Sequence, residues 1–168
     1  MPAYVGFEAR KYNLLSWLIR RITKSKHSHT FVCLGDPHNN PDVPIIHASG
    51  FTVHRAKLGS LVNRKTNGII YKIDCNPETE KEALSYVLKF EDEPYGYAQL
   101  VGFVFVLVFR LCKKNPISKG VVCSELIWRL LNALHIPGIE RFDRDTMTPG
   151  QGEDLLLATP GVSVAAEW

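Results

Sequence analysis

Residues 119–128 read Lys119-Gly120-Val121-Val122-Cys123-Ser124-Glu125-Leu126-Ile127-Trp128. A glycine, two β-branched residues and a cysteine lead into a strongly helical run. The pattern predicts a turn that delivers Cys123 to the first turn of a helix. Unpaired N–H groups and the positive end of the helix dipole meet a thiol there, and both favour the thiolate. Leu126, Ile127, Leu130, Leu131 and Leu134 share one helical face, and Pro137-Gly138 ends the run. Cys123 sits at helical spacing from Leu126, Ile127 and Leu130, so it points with that face towards a sheet. Two readings stand on this helix alone. Cys123 is a small hydrophobe in a core, as buried cysteines usually are, or it is a nucleophile. A nucleophile needs a base, a group to orient the base, and a cleft.

Upstream, residues 12–23 place Leu14, Leu15, Leu18, Ile19 and Ile22 at helical spacing, with Arg20 and Arg21 at the C-terminal end where cations suit the dipole. Thr30 to Leu34, Val43 to Ser49, Phe51 to Ala56 and Gly68 to Asp74 read as strands. Pro44 suits the start of a strand or a sheet edge. Asn76 caps a helix with Pro77 at its first position, running to about Phe90. Glu91 to Tyr97 is a loop. Ala98 to Cys112 is a buried element, helix or strand. Thr148-Pro149 opens a turn into a short C-terminal helix. The order is a helix, a run of strands, then helices. Segregation of this kind argues an α+β fold with an antiparallel sheet, and 168 residues suit a single domain over 1–168.

Bulk composition excludes several function classes. Lys plus Arg is 20 and Asp plus Glu is 17, a net +3. That is too mild to call for nucleic acid. The cations are uneven, however: Arg10, Lys11, Arg20, Arg21, Lys24 and Lys26 are opposed nearby by Glu8 alone. They form a solvated helix face or dock on an anionic surface. Cys33, Cys75, Cys112 and Cys123 form no C-x-x-C pair, which predicts free thiols in a reducing compartment. The first residues show no charged start followed by an apolar run. The longest apolar run, Leu100 to Phe109, is about half the 20 residues of a spanning helix. A cytoplasmic location without a transmembrane segment is the expectation.

Six histidines supply candidate bases. His29 opens the first predicted strand. His47 alternates with Val43 and Ile45, so it shares an apolar face, and a buried histidine needs a hydrogen-bond partner. A second histidine on a neighbouring strand would serve. A satisfied pair of sheet histidines and a catalytic pair both fit this spacing. His38 and His135 read as surface residues, and the side taken by His54 is open. His27, His29, Cys33 and His47 are zinc-ligand types without a zinc-site spacing, so no metal and no cofactor is expected.

Taken in order, these stretches resemble a known family. They are Leu15-Ser16-Trp17-Leu18-Ile19-Arg20 with Thr23 to Val32, then Ile45-Ile46-His47-Ala48-Ser49-Gly50, Pro94-Tyr95-Gly96-Tyr97, Val121 to Ile127, and Thr148-Pro149 ahead of Asp154-Leu155. The chain is similar along nearly its whole length to the circularly permuted NlpC-type cysteine peptidases, the YiiX- and YebB-like branch of the papain-like superfamily. The resemblance implies a permuted papain-like fold, an antiparallel sheet or half-barrel packed on helices. It implies Cys123 as nucleophile, His29 as general base and His47 as the orienting group, in a position where the commoner residue is Glu. It implies that Tyr95 lines the cleft and helps hold the oxyanion. The implied activity is amide hydrolysis of cell-wall-type peptides through an acyl-enzyme. Two alternatives are transfer or hydrolysis of lipid acyl groups, and a silent binding module of the same fold.

Overall fold

The structure is a computed structural model that describes residues 2–11, 13–63, 65–96, 98 and 120–168. The predicted element from Ala98 to Cys112 therefore lies almost wholly outside the described residues, as do Tyr97, Cys112 and Lys119.

The sheet is built on a strand that periodicity does not announce. Strand β1 (Ala3–Arg10) is buried from Ala3 to Ala9. It lies between β2 (His29–Cys33) and β5 (Thr66–Ile73). Strands β3 (Pro44–Ser49) and β4 (Thr52–Lys57) extend the sheet on the β2 side, and β6 (Val162–Glu167) pairs with β5. The order is β4-β3-β2-β1-β5-β6, and every pair is antiparallel. Among the described residues, six antiparallel strands with helices make the fold α+β, as expected. The strand-first and strand-last ends correct the expected order, in which a helix came first and a short helix last.

The pleat sorts the core into two clusters. Val5, Phe7, Val32, Ile46 and Ala48 face one side, with Leu126, Ile127, Leu130 and Leu131 of the cysteine helix. Tyr4, Phe31, Cys33, Ile45 and Ile70 face the other, under the short helix α2 (Leu58–Leu61). Gly6 is required by this packing, because a Cβ there would sit 2.0 Å from Phe31 Cζ.

The other helices follow their caps. Asn13 caps α1 (Leu14–Thr23), its side chain accepting from the Ser16 amide. Asn76 caps α3 (Pro77–Leu88), with Pro77 at its start. Cys123 opens α4 (Cys123–Ala133). Thr148 and Gln151 form a capping box on α5 (Pro149–Leu157). The buried face of α4 is the predicted one. The buried side of α1 is not: Leu14 is 79% exposed and Leu18 43%, while Ser16 is buried. Polar bonds turn the helix this way. Ser16 Oγ meets Ser28 Oγ at 2.6 Å and accepts from the Arg10 amide at 3.2 Å. Among the described residues no helix is long and apolar enough to cross a membrane.

Candidate active site

Gly120 begins the site. Its φ of +84° is a left-handed backbone that favours glycine, and a Cβ there would lie 2.7 Å from Pro94 O. The turn lets Val121 N–H donate to Pro94 O at 2.9 Å and Val121 O accept from Gly96 N–H at 3.2 Å. Tyr95 N–H donates to Phe51 O at 2.8 Å in the β3–β4 turn. Residues 94–96 thus strap the tip of the β3–β4 hairpin to the segment that enters α4.

Cys123 is the first residue of α4 and is buried. Thr30 of β2 fixes it: Thr30 Oγ1 donates to Cys123 O at 2.8 Å. Neighbouring polar groups of Thr30, Ser124 and Cys123 itself pull the thiol pKa down. Burial is the larger effect and raises it above the ordinary value. This corrects the expected thiolate. The helix start does supply donors, but removal from water outweighs them, so Cys123 rests as a thiol.

His29 and His47 come together as expected. His29 Nε2 and His47 Nδ1 are 2.9 Å apart, and the rings meet edge-on with centroids 5.1 Å apart. His47 shares its strand face with Ile45, of the second cluster, and is 3% exposed. Burial, then the charges of His47, Arg10 and His54, pull the His29 pKa down to about 3. Burial, then His54 and Arg10, pull His47 down to about 4. Both rings are neutral at pH 7. His29 stands opposite Glu8 in the β1–β2 register, yet Ser28 N–H also donates to Glu8 O at 2.9 Å. Ser28, just before β2, thus extends the pairing with β1 by one bond.

Thr30 is the hinge of the site. It follows His29 in the chain and bonds Cys123, and neighbours on a strand point to opposite faces: Cys123 packs in the first cluster with Val32, whereas His29 alternates with Phe31 and Cys33 of the second. Among the described residues no hydrogen bond runs from the Cys123 sulfur to either ring. Tyr95 and His29 line one cleft with Arg10, Ser28 and Ser49, under the Ser16 side of α1. No protein-family model and no curated protein matches the chain.

Three features of this region escape a reading of the sequence. Thr30 looks like any β-branched strand residue. His54 is the Cα partner of His47, with ring centroids 4.6 Å apart. Its place could have been counted from a two-residue turn at Gly50-Phe51. His54 Nδ1 lies 3.2 Å from Thr52 O, and a carbonyl only accepts, so that nitrogen carries the proton. The third is Glu8, fully buried, which holds Arg10 Nε at 3.3 Å on one oxygen. Its other oxygen has no partner among the described residues.

Of the four zinc-type residues, His29 and His47 meet, but His27 is held elsewhere. His27 Nδ1 is 2.9 Å from Glu153 Oε2, and Tyr71 Oη donates to Glu153 Oε1 at 3.0 Å. Among the described residues no three His, Cys, Asp or Glu side chains are grouped to hold a metal ion. No disulfide joins the described cysteines. His38 and His135 are exposed.

Proposed function

We propose that this chain is a cysteine hydrolase of the permuted NlpC type, with a permuted papain-like fold and a Cys123-His29-His47 site. The observation that carries the reading is the 2.9 Å bond from His29 Nε2 to His47 Nδ1, beside the contact from Thr30 to Cys123. A bond at Nε2 leaves Nδ1 as the free nitrogen of His29. When His29 donates through Nε2–H, that Nδ1 holds a lone pair and His29 is a base. His47 then carries its proton on Nε2, the atom that is buried without a partner among the described residues. His47 thereby fixes the tautomer of His29, the service a carboxylate performs in other triads.

The reaction runs from a neutral thiol and a neutral imidazole. As an amide carbonyl enters the cleft, Cys123 Sγ–H gives its proton to His29 Nδ1 and the sulfur bonds to the carbonyl carbon. The oxyanion is held by amides at the α4 start, with Tyr95 at the cleft wall. The C–N bond breaks as His29 Nδ1–H protonates the leaving amine, and a thioester remains. Water then gives a proton to His29 and attacks the thioester. The carboxylic acid leaves, and the proton returns to the sulfur. Peptide amides of cell-wall type are the substrates that the resemblance supports.

p-Nitrophenyl acetate tests the reading. The wild type should gain one acetyl group at Cys123 by intact and peptide mass, Cys123→Ser none, and His29→Ala the same adduct at least ~100-fold more slowly. Equal acylation rates for the wild type and His29→Ala, or an adduct confined to another residue, would sink it.

A further inference from the structure

Helix α1 has two unlike sides. The inner side is polar and tied down: Ser16 is buried on Ser28, and Asn13, Ser16 and Ile19 line the cleft with His29. The outer side is apolar and open. Leu14 is 79% exposed, Trp17 54% and Leu18 43%. These positions are spaced i, i+3 and i+4, so they form one stripe rather than three scattered side chains.

Cations frame the stripe. Lys11, Arg21 and Lys24 are exposed, and Arg10 is half exposed beyond the start of the helix. From Ala9 to Gly35 the chain has no Asp or Glu. An aromatic with a polar N–H, two leucines and a ring of lysine and arginine are the composition of a helix that lies in a bilayer interface. A second copy of the chain would bring a second set of the same cations, which repel. A lipid surface of opposite charge takes both halves of the pattern.

We propose that α1 docks this protein on an anionic lipid surface. Leu14, Trp17 and Leu18 enter the headgroup–acyl boundary, while Lys11, Arg21 and Lys24 lie among the headgroups. The helix is about 10–12 Å across, so docking holds the cleft on its inner side within about that distance of the bilayer. The inference stands on α1 and does not require Cys123 to react.

Vesicles test it. The probes are phosphatidylglycerol–phosphatidylcholine vesicles and pure phosphatidylcholine vesicles, each at low and high salt, read by co-sedimentation and tryptophan emission. Binding to the anionic vesicles is expected, weakened by salt, with a blue shift absent in Trp17→Phe although Trp128 and Trp168 remain. Leu14→Ser/Leu18→Ser should lose at least tenfold in binding while still melting cooperatively, because Leu14 is 79% exposed and Leu18 43%. Arg21→Glu/Lys24→Glu should lose as much. Cys123→Ser should bind like the wild type, which separates this result from the fate of the hydrolase reading. Three outcomes overturn the proposal. One is no binding to either vesicle. Another is full binding by the leucine variant with loss only on charge reversal, which would mark a general polyanion patch. The third is a concentration-dependent dimer that the leucine variant abolishes, which would make the stripe a contact between copies.

Discussion

Acid should unfold this protein through its paired histidines. In an unfolded chain both rings titrate near pH 6.5; in the fold His29 does so at about 3 and His47 at about 4. The folded pKa values are depressed, so the unfolded state binds more protons between these limits. The contribution is fully present above about pH 6.5 and is lost as pH falls towards 4 and 3. One pKa unit corresponds to about 1.4 kcal/mol, so at pH 4 each ring taken alone costs ~3 kcal/mol. The rings share a proton and are not additive, which puts the pair on the order of 3–6 kcal/mol, against a whole-domain stability of roughly 5–15 kcal/mol. Urea unfolding of the wild type and of His29→Gln/His47→Gln at about pH 7 and about pH 4 measures the difference. Glu153, with a lowered pKa, loses stability in acid, and Glu8, with a raised one, gains it. Both act in both proteins and cancel in the comparison. The double variant should lose much less stability on acidification than the wild type. Parallel losses would refute the burial of a neutral pair.

Thr30→Val removes the donor to the buried Cys123 carbonyl. It should cost about 1–3 kcal/mol in urea unfolding and slow iodoacetamide labelling of Cys123, whereas Thr30→Ser keeps both near wild type. His54→Gln removes a neighbour that depresses His47, so the His47 ring should titrate at higher pH by NMR; an unmoved titration would exclude that coupling. Gly120→Ala forces a side chain into the +84° turn, against Pro94 O. It should cost about 1–3 kcal/mol and cut Cys123 acylation, as the strap from Tyr95 to Val121 is displaced. Wild-type acylation would show that the turn does not position the thiol.

Helices with chemical caps were legible. Asn76-Pro77, Thr148-Pro149 and the apolar face after Cys123 each state their boundary locally. Strand β1 was not, for two physical reasons. It is central and buried on both faces, so it has no period-two alternation. It also carries Gly6 and Glu8, residue types that strands disfavour; Phe31 packs over the glycine and Arg10 meets the carboxylate. Strand β6 is a short edge after Gly161, held by its pairing with β5. The helix α1 was visible in its spacing, but its orientation depends on hydroxyl bonds between Ser16 and Ser28, which hydrophobic periodicity cannot weigh. The histidine pair was visible as an alternation on β3. Thr30 and His54 were not, because their importance comes from register across strands.

Two buried cysteines let the core reading and the nucleophile reading of Cys123 be compared within one molecule. Cys33 lies in β2 in the second cluster, among Tyr4, Phe31 and Ile45. Burial, with the charge of Asp36, pushes its thiol pKa up to about 12, and no donor offsets the rise. That is a cysteine used as a hydrophobe. Cys123 is about as buried, and burial raises its pKa too, but polar groups of Thr30, Ser124 and Cys123 itself pull the other way. Packing alone asks for no such donors. Their effect is larger on a thiolate than on a thiol, since hydrogen bonds to a charged acceptor are roughly twice as strong. On the hydrolase reading proposed above, such a site keeps the thiol protonated in the free protein and stabilises negative charge at the sulfur only once His29 takes the proton. Burial is the main cause of the low pKa of both rings and the positive charge of Arg10 adds to it, so an anionic group bound beside Arg10 would raise the His29 pKa.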